Sequence, residues 1–259
     1  MTASTPASSE TSSERVYCPH CGEDKTPYQR QLGRRVFTID PECRCDREAR
    51  DKAIAEEEAR RREEDLRQRI EQSGLPARYQ RATFEAFEPA RGTEKAVAIC
   101  REYAASFARG VEDGLLVRGP KGAGKTHLAA AVALSLLQSG FRVAFWNVPL
   151  VLDEIRSSFG ARSDKEERAS EIMERARRAD LLILDDIGTE KPSEWVVERL
   201  YLVVEMRYQD LKPLIVTTNA SMKELEEALS PKTVSRLVEM CRGVSLEASD
   251  YRARRIRGR

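Results

Sequence analysis

Residues 114–126 read GLLVRGPKGAGKT, an apolar strand pattern running through a glycine-spaced loop into a helix-forming segment. The loop satisfies G-x-x-x-x-G-K-[ST] in full, and that pattern requires a strand to deliver it and a helix to leave it. Gly122 and Gly124 let the main chain curl so that successive N–H groups converge on an anion. The helix starting near Lys125 directs its positive dipole end at the same point. Gly119, Pro120, Lys121, Gly122, Ala123 and Gly124, continuing through Lys125, Thr126 and His127, therefore form a predicted nucleotide-phosphate cradle. Lys125 would bridge the β- and γ-phosphates of ATP, and the Thr126 hydroxyl would ligate Mg²⁺. Chance produces this pattern in roughly one chain in a hundred of this length, and the flanking strand and helix argue further against an ordinary glycine-rich turn.

Given such a cradle, LLILDDIG at 181–188 has a natural reading. An aliphatic run of this kind belongs to a strand buried on both faces. A pair of carboxylates at its end is costly to bury without a cation. The run is expected on the strand neighbouring the cradle strand, with Asp185 holding Mg²⁺ directly or through water. Asp186 is then the candidate to orient and deprotonate an attacking water. A third strand, PLIVTTN, ends in Asn219, placed by chain order to hydrogen-bond that water or the γ-phosphate. The alternative for Asn219 is a turn residue capping the helix near Ser221.

From about residue 93 onward, helical and strand patterns alternate. Ala96, Cys100, Tyr103 and Phe107 share a helical face that Gly110 closes. Next come the cradle strand, a helix ending at Gly140, RVAFW, the helical VPLVLDEIRSSF and a charged helix over 164–178. After LLILDD follow the helix SEWVVERLYLVVEMRY, PLIVTTN, two short helices and GVSLEA. Strands separated by helices of this length predict an α/β fold, a parallel sheet covered on both faces.

The front of the chain differs. MTASTPASSETSSER is Ser/Thr-rich without an apolar h-region, and reads as a solvated tail rather than a secretory signal. No apolar run approaches the roughly 20 residues of a membrane span. Six cysteines without an export signal point to reduced thiols or metal ligands in the cytoplasm. Four of them fall as Cys18-x₂-Cys21 and Cys43-x-Cys45. Two close pairs suit a tetrahedral structural Zn²⁺, with Gly22 easing the turn. Redox thiols, an iron–sulfur cluster and inert cysteines are the alternatives, while Cys100 and Cys241 fit helical core positions. Residues 47–72 are rich in strong helix formers and acid-to-base pairs at i,i+4, among them Glu57–Arg61 and Glu58–Arg62. Only Ile54, Leu66 and Ile70 are large and apolar there, too few for a heptad seam. The organisation is thus a tail (1–15), a zinc module (16–46), a charged connecting helix (47–73) and a nucleotide-binding domain (74–259). Lys and Arg total 44 against 43 Asp and Glu, so net charge neither favours nor excludes nucleic acid.

GPKGAGKTHLA, LLILDDIG, IVTTN and the later SRL…DYR, with the lead-in GLPARYQRATFEAF, resemble the DnaC/DnaI-type helicase loaders and the similar IstB transposition helpers. The resemblance implies an AAA+ ATPase fold preceded by the zinc module and helix. It implies that Arg236 is an arginine finger reaching a neighbouring subunit's nucleotide, which makes hydrolysis and self-assembly interdependent. Arg252, in DYR, would lie near the nucleotide; the basic RARRIRGR around it would equally suit nucleic acid. The Asp185–Asp186 pair, where most AAA+ proteins carry Asp-Glu, implies a slow ATPase acting as a switch. The implied partners are a hexameric, DnaB-like replicative helicase, contacted by the zinc module, and single-stranded DNA.

Competing readings are an ATP-dependent helper of a DDE transposase, a zinc adaptor that only binds nucleotide, and a small-metabolite kinase. The last needs an arginine-bearing lid that the sequence does not offer. Arg30, Arg34 and Arg35 with Tyr28 and Phe37 would also permit direct nucleic-acid contact by the zinc module.

Overall fold

A computed structural model describes residues 15–88, 92–107, 113–158, 163–189 and 193–247, with backbone alone at 163–166. The chain divides into two compact units, Met1–Glu64 and Asp65–Arg259. Gly110, Arg252 and the basic tail lie outside the described residues.

In the first unit, β1 (Tyr28–Leu32) pairs antiparallel with β2 (Arg35–Ile39) as a ribbon between the two cysteine pairs. The helix α1 (Arg44–Ser73) follows and runs on into the second unit. It begins earlier than its run of strong helix formers suggests, because Cys43 acts as its cap. The Cys43 carbonyl accepts the first helical bond, from the Arg47 N–H at 3.1 Å, and the Cys43 N–H donates to the Asp46 carboxylate at 3.2 Å. The exposed helix is laced by Glu57–Arg61 and Glu58–Arg62 pairs, each at 3.0 Å, whereas Arg60 turns back to Glu57 at 2.7 Å. Such exposed pairs contribute a few tenths of a kcal/mol each.

The second unit is built on a five-stranded parallel sheet. After a 3₁₀ turn at Ala77–Tyr79 come α2 (Glu94–Ser106), β3 (Gly114–Arg118), α3 (Lys125–Gln138) and β4 (Val143–Asn147). They are followed by α4 (Val148–Ser158), α5 (Ser163–Arg178), β5 (Leu181–Asp185), α6 (Glu194–Gln209) and β6 (Leu214–Thr218). The last elements are α7 (Met222–Leu229), α8 (Pro231–Met240) and β7 (Cys241–Ser245). The strand order is β4-β5-β6-β3-β7. β5 is therefore not the neighbour of the cradle strand, as its sequence suggested: β6 lies between them. Chain order does not reveal this, because a right-handed crossover can skip a position in the sheet.

Both faces of the sheet are covered, which is why its strands read as continuous apolar runs. Leu115, Val117, Phe145, Ile183, Ile215 and Val244 turn toward α2 and α3. Leu116, Trp146, Leu182, Leu184, Leu214 and Val216 turn toward the helices of the opposite face. The Ala-rich α3 packs closely, and Leu66 and Ile70 of α1 lie against the same layer. The wholly buried Arg207 donates to the carbonyls of Ala176, Ala179, Asp180 and Pro213 at 2.7–3.2 Å. One guanidinium thus ties the end of α5 to the starts of β5 and β6, fixing how far each strand's C-terminal end projects. Those ends carry the candidate site, as open parallel sheets require.

Candidate functional site

The cradle sits where β3 gives way to α3. Gly122 and Gly124 have φ of +74° and +97°, a region open to glycine at little steric cost. A Cβ on Gly124 would lie 2.6 Å from the Phe87 ring, so the lead-in segment also demands glycine there. His127 belongs to that contact: its Nε2 is 2.8 Å from the Thr83 carbonyl, and its ring meets Phe87 edge-on at 5.2 Å. The His127 ring is thereby engaged with the lead-in, and its main-chain N–H is what it can offer a phosphate. Leu128 N–H makes the first helical bond, to the Gly124 carbonyl, so the N–H groups of Lys125, Thr126 and His127 precede it at the helix mouth. The Lys125 ammonium is buried and donates to the Gly119 and Pro120 carbonyls at 2.9 and 3.0 Å. Ala123 is buried within the loop and Lys121 is exposed.

Asp185 ends β5 almost completely buried, 2% exposed. The Thr217 hydroxyl of β6 donates to its Oδ1 at 2.7 Å. Burial pushes the Asp185 carboxyl above its ordinary value and the Asp186 charge adds to the rise, while the two threonine hydroxyls and Lys125 oppose it. Thr126 and Lys125, at the head of the cradle helix, are thus near enough to Asp185 to favour its charged form. A hard cation there would find a hydroxyl and a carboxylate oxygen, the ligands Mg²⁺ prefers beside phosphate oxygens.

Asp186 is half-buried with φ +60°, a conformation that Asp and Asn tolerate better than longer side chains. Its N–H donates to the Thr217 hydroxyl at 3.0 Å. Thr217 thus holds both acids of the pair, one through its proton and one through its lone pair. Asn219 is half-buried just past β6. It does not cap α7: Ser221 does, in a reciprocal capping box with Glu224.

Arg236 lies on α8 against α6, away from this cluster. Its guanidinium stacks between the Tyr201 and Tyr208 rings, 5.2 Å from each centroid, and pairs with Glu205. Lys232 and Glu239, one turn to either side, bond the Tyr201 and Tyr208 hydroxyls at 2.8 and 3.0 Å.

In the first unit the Sγ atoms of Cys18, Cys21, Cys43 and Cys45 lie within 4.8 Å of one another. Tetrahedral Zn–S bonds of about 2.3 Å would set them roughly 3.8 Å apart, so a small contraction suffices. The Cys18 N–H donates to the Glu23 carbonyl and the Gly22 N–H to the Cys18 carbonyl, at 2.8 and 2.9 Å, folding a knuckle around the first pair. Cys43 and Cys45 straddle the start of α1, where the dipole favours thiolates and where C-x-C is a natural spacing. The Glu23 main-chain N–H lowers the Cys21 thiol to about 7, whereas burial pushes Cys43 up to about 12 and the Cys21 contact raises Cys45. Four thiols clustered this closely suit a divalent cation, which would stabilise all four thiolates together. Cys100 is buried in α2, whereas Cys241, expected on a helix, is buried at the start of β7; both belong to the other unit and take no part.

The model of IstB-like ATP binding proteins matches residues 45–258. The chain belongs to that family. It is also 25% identical over 173 residues to the replicative helicase loader DnaC of Escherichia coli (strain K12), covering 66% of this chain and 69% of that protein. The chromosomal replication initiator DnaA of Acinetobacter baylyi is 30% identical over 156 residues, 60% of this chain but 32% of its own length. Among solved structures, the DnaC helicase loader matches with a TM-score of 0.59 at 25% identity, over 66% of this chain and 99% of that one. DnaI matches with a TM-score of 0.57 at 22% identity, which shows the fold. This member of the IstB-like family has an AAA+, DnaC-like fold and belongs with ATP-binding proteins. Among its described residues no helix is long and apolar enough to cross a membrane.

Sequence reading of this family member missed Thr217. The signal was present: two threonines close an otherwise aliphatic buried strand, and buried hydroxyls need partners.

Proposed function

We propose that the chain is an ATP-dependent loader of a hexameric, DnaB-like replicative helicase onto single-stranded DNA. Its slow hydrolysis, dependent on assembly, would act as the switch that ends loading. The observation that carries this reading is the similarity to the DnaC loader in both sequence and structure, the latter over nearly the whole of the solved loader chain. ATP supplies binding energy and a hydrolysable γ-phosphate. The loop 119–124 and the first turn of α3 would cradle its phosphates, with Lys125 leaving its carbonyl partners for the β/γ oxygens. Thr126 and Asp185 would hold Mg²⁺, Asp186 would take the proton of the attacking water, and Asn219 would orient it. Arg236 would complete the site of a neighbouring subunit, exchanging Glu205 for phosphate on assembly; Arg252 is assigned to the nucleotide by resemblance alone. The four cysteines 18, 21, 43 and 45 would hold a structural Zn²⁺, and residues 16–46 with the charged helix would engage the helicase.

The family match itself, to IstB-like proteins over 45–258, supports a second reading, an ATP-dependent helper of a DDE transposase. Co-purification with a replicative helicase or a transposase as bait, with and without ATP and single-stranded DNA, separates them. Nucleotide-dependent capture of the helicase supports loading; capture of the transposase alone replaces it with the helper reading.

A further inference from the structure

The ribbon β1–β2 has no core of its own. Every residue of both strands is exposed except Ile39, which is half-buried. An unsupported two-stranded ribbon is marginal in water, so its residue choices ask for another explanation. Gly33, at φ +63°, and Arg34 form its two-residue turn, as a type II′ hairpin requires.

The register sorts the side chains. Tyr28 faces Ile39, Arg30 faces Phe37, and Leu32 faces Arg35. Directly opposed residues share a face of an antiparallel pair, as do residues two apart along a strand. One face therefore carries Tyr28, Arg30, Leu32, Arg35, Phe37 and Ile39, with Tyr28 and Phe37 51% and 45% exposed. The opposite face, Gln29, Gln31, Val36 and Thr38, carries no charge. Residues 28–39 hold three arginines and no carboxylate, in a chain whose net charge is only +1.

We propose that this aromatic–arginine face of the β1–β2 ribbon is a binding platform for single-stranded DNA. Exposed aromatic rings interleaved with cations of one sign are what a strand of stacked bases and phosphates requires. Successive same-face side chains on a strand stand about 6.8 Å apart, roughly two base-stacking intervals, so rings and guanidinium groups alternate at a spacing a DNA strand can follow. Arginine and aromatic residues also suit a protein interface, but three arginines with no carboxylate in residues 28–39 match the uniform negative charge of a nucleic-acid backbone. The platform stands without the helicase reading, since it requires neither ATP nor a protein partner.

The test is fluorescence anisotropy of a labelled oligo-dT strand with the full zinc-loaded chain, without nucleotide, across a range of salt. Tyr28→Ala with Phe37→Ala is expected to weaken binding about tenfold or more while leaving the salt dependence unchanged. Arg30→Gln with Arg35→Gln is expected to lower the slope of log K against log salt by about 1.4. Bound zinc, measured on each variant, checks that the cysteine cluster persists. Should a variant lose zinc, cross-linking of wild-type protein to a strand containing 4-thiothymidine decides: adducts within residues 28–39 support the platform, and adducts only elsewhere overturn it. Unchanged affinity and slope in both variants would also overturn it. So would intact DNA binding with lost helicase capture, which would make the ribbon a protein-docking surface.

Discussion

The two candidate sites of this chain are built on opposite plans. The nucleotide cradle rests on a sheet whose five strands are buried on both faces, so its geometry is fixed by packed hydrocarbon. The cysteine cluster rests on a knuckle, an exposed ribbon and the start of a helix, and its two buried cysteines, Cys18 and Cys43, are themselves members of the cluster. In the first case the fold makes the site; in the second the proposed metal would make the fold. The ligands should therefore differ in what they control: ATP should change what the larger unit does, and metal should decide whether the smaller unit is folded.

The most forceful way to break this contrast is to remove the metal. Chelation, or Cys43→Ser, is expected to abolish ordered structure in residues 16–46, since structural zinc contributes on the order of 10 kcal/mol to such modules. Mg·ATP affinity should change less than about twofold. Circular dichroism paired with nucleotide titration checks this, and a large parallel loss of ATP binding would show that the two sites are not independent.

The next effect concerns assembly. Arg236→Ala should lower turnover of the assembled protein by about 10³–10⁵ without altering ATP affinity. Steady-state hydrolysis at several protein concentrations reads it out. An equal loss in dilute, unassembled protein would assign Arg236 to its own subunit, where its Glu205 and tyrosine contacts already hold it.

Asp186→Asn should reduce turnover about 10²–10⁴-fold with nucleotide binding retained. The positive φ at this position suits asparagine as well as aspartate, so the change tests chemistry rather than backbone strain. Single-turnover hydrolysis that proceeds at the wild-type rate would remove Asp186 from the role of base.

The smallest effect has the opposite sign. Burial raises the Asp185 carboxyl, so the native chain holds this proton more tightly than the unfolded chain. Stability contributed by this group accordingly falls as pH rises from the ordinary 3.8 through the raised native value, and the penalty persists above it. Without nucleotide, Asp185→Asn should raise the melting temperature at neutral pH by roughly 2–4 °C, the shift that about 1 kcal/mol produces in a chain of this size. The gain should vanish below about pH 4 and reverse in Mg·ATP, where the ionised carboxylate is needed. Melting curves across pH settle it; a loss of stability at neutral pH would contradict the assignment of cost.

The contrast also explains what the sequence made legible. Glycine spacing at 119–124 and the alternation of apolar runs with helices specify the cradle and the parallel sheet, because each depends on local pattern. Strand order depends on which crossovers skip a position, so the place of β6 between β5 and β3 is not readable, and neither are the partners of the Thr217 hydroxyl. Thr217 bonds both members of the acid pair only because β6 is inserted there. In the first unit the cysteine spacing is informative, whereas the ribbon shows only in the turn glycine of YQRQLGRRVFTI. Its strands bury little beyond part of Ile39, and so show no core-facing alternation. The start of α1 is obscured for a related reason: its cap, four residues before Arg47, is a cysteine, whose spacing reads as that of a metal ligand.

The central claim is that the cradle and the buried acid converge on one nucleotide through Thr126 and Asp185. Calorimetric titration of Mg·ATP into the full, zinc-loaded chain tests it most directly. The account predicts saturable binding at one site per chain, lost in Lys125→Ala and weakened in Thr126→Ala only when Mg²⁺ is present. Absence of binding by the wild-type chain, or equal weakening of Thr126→Ala with and without Mg²⁺, would contradict it.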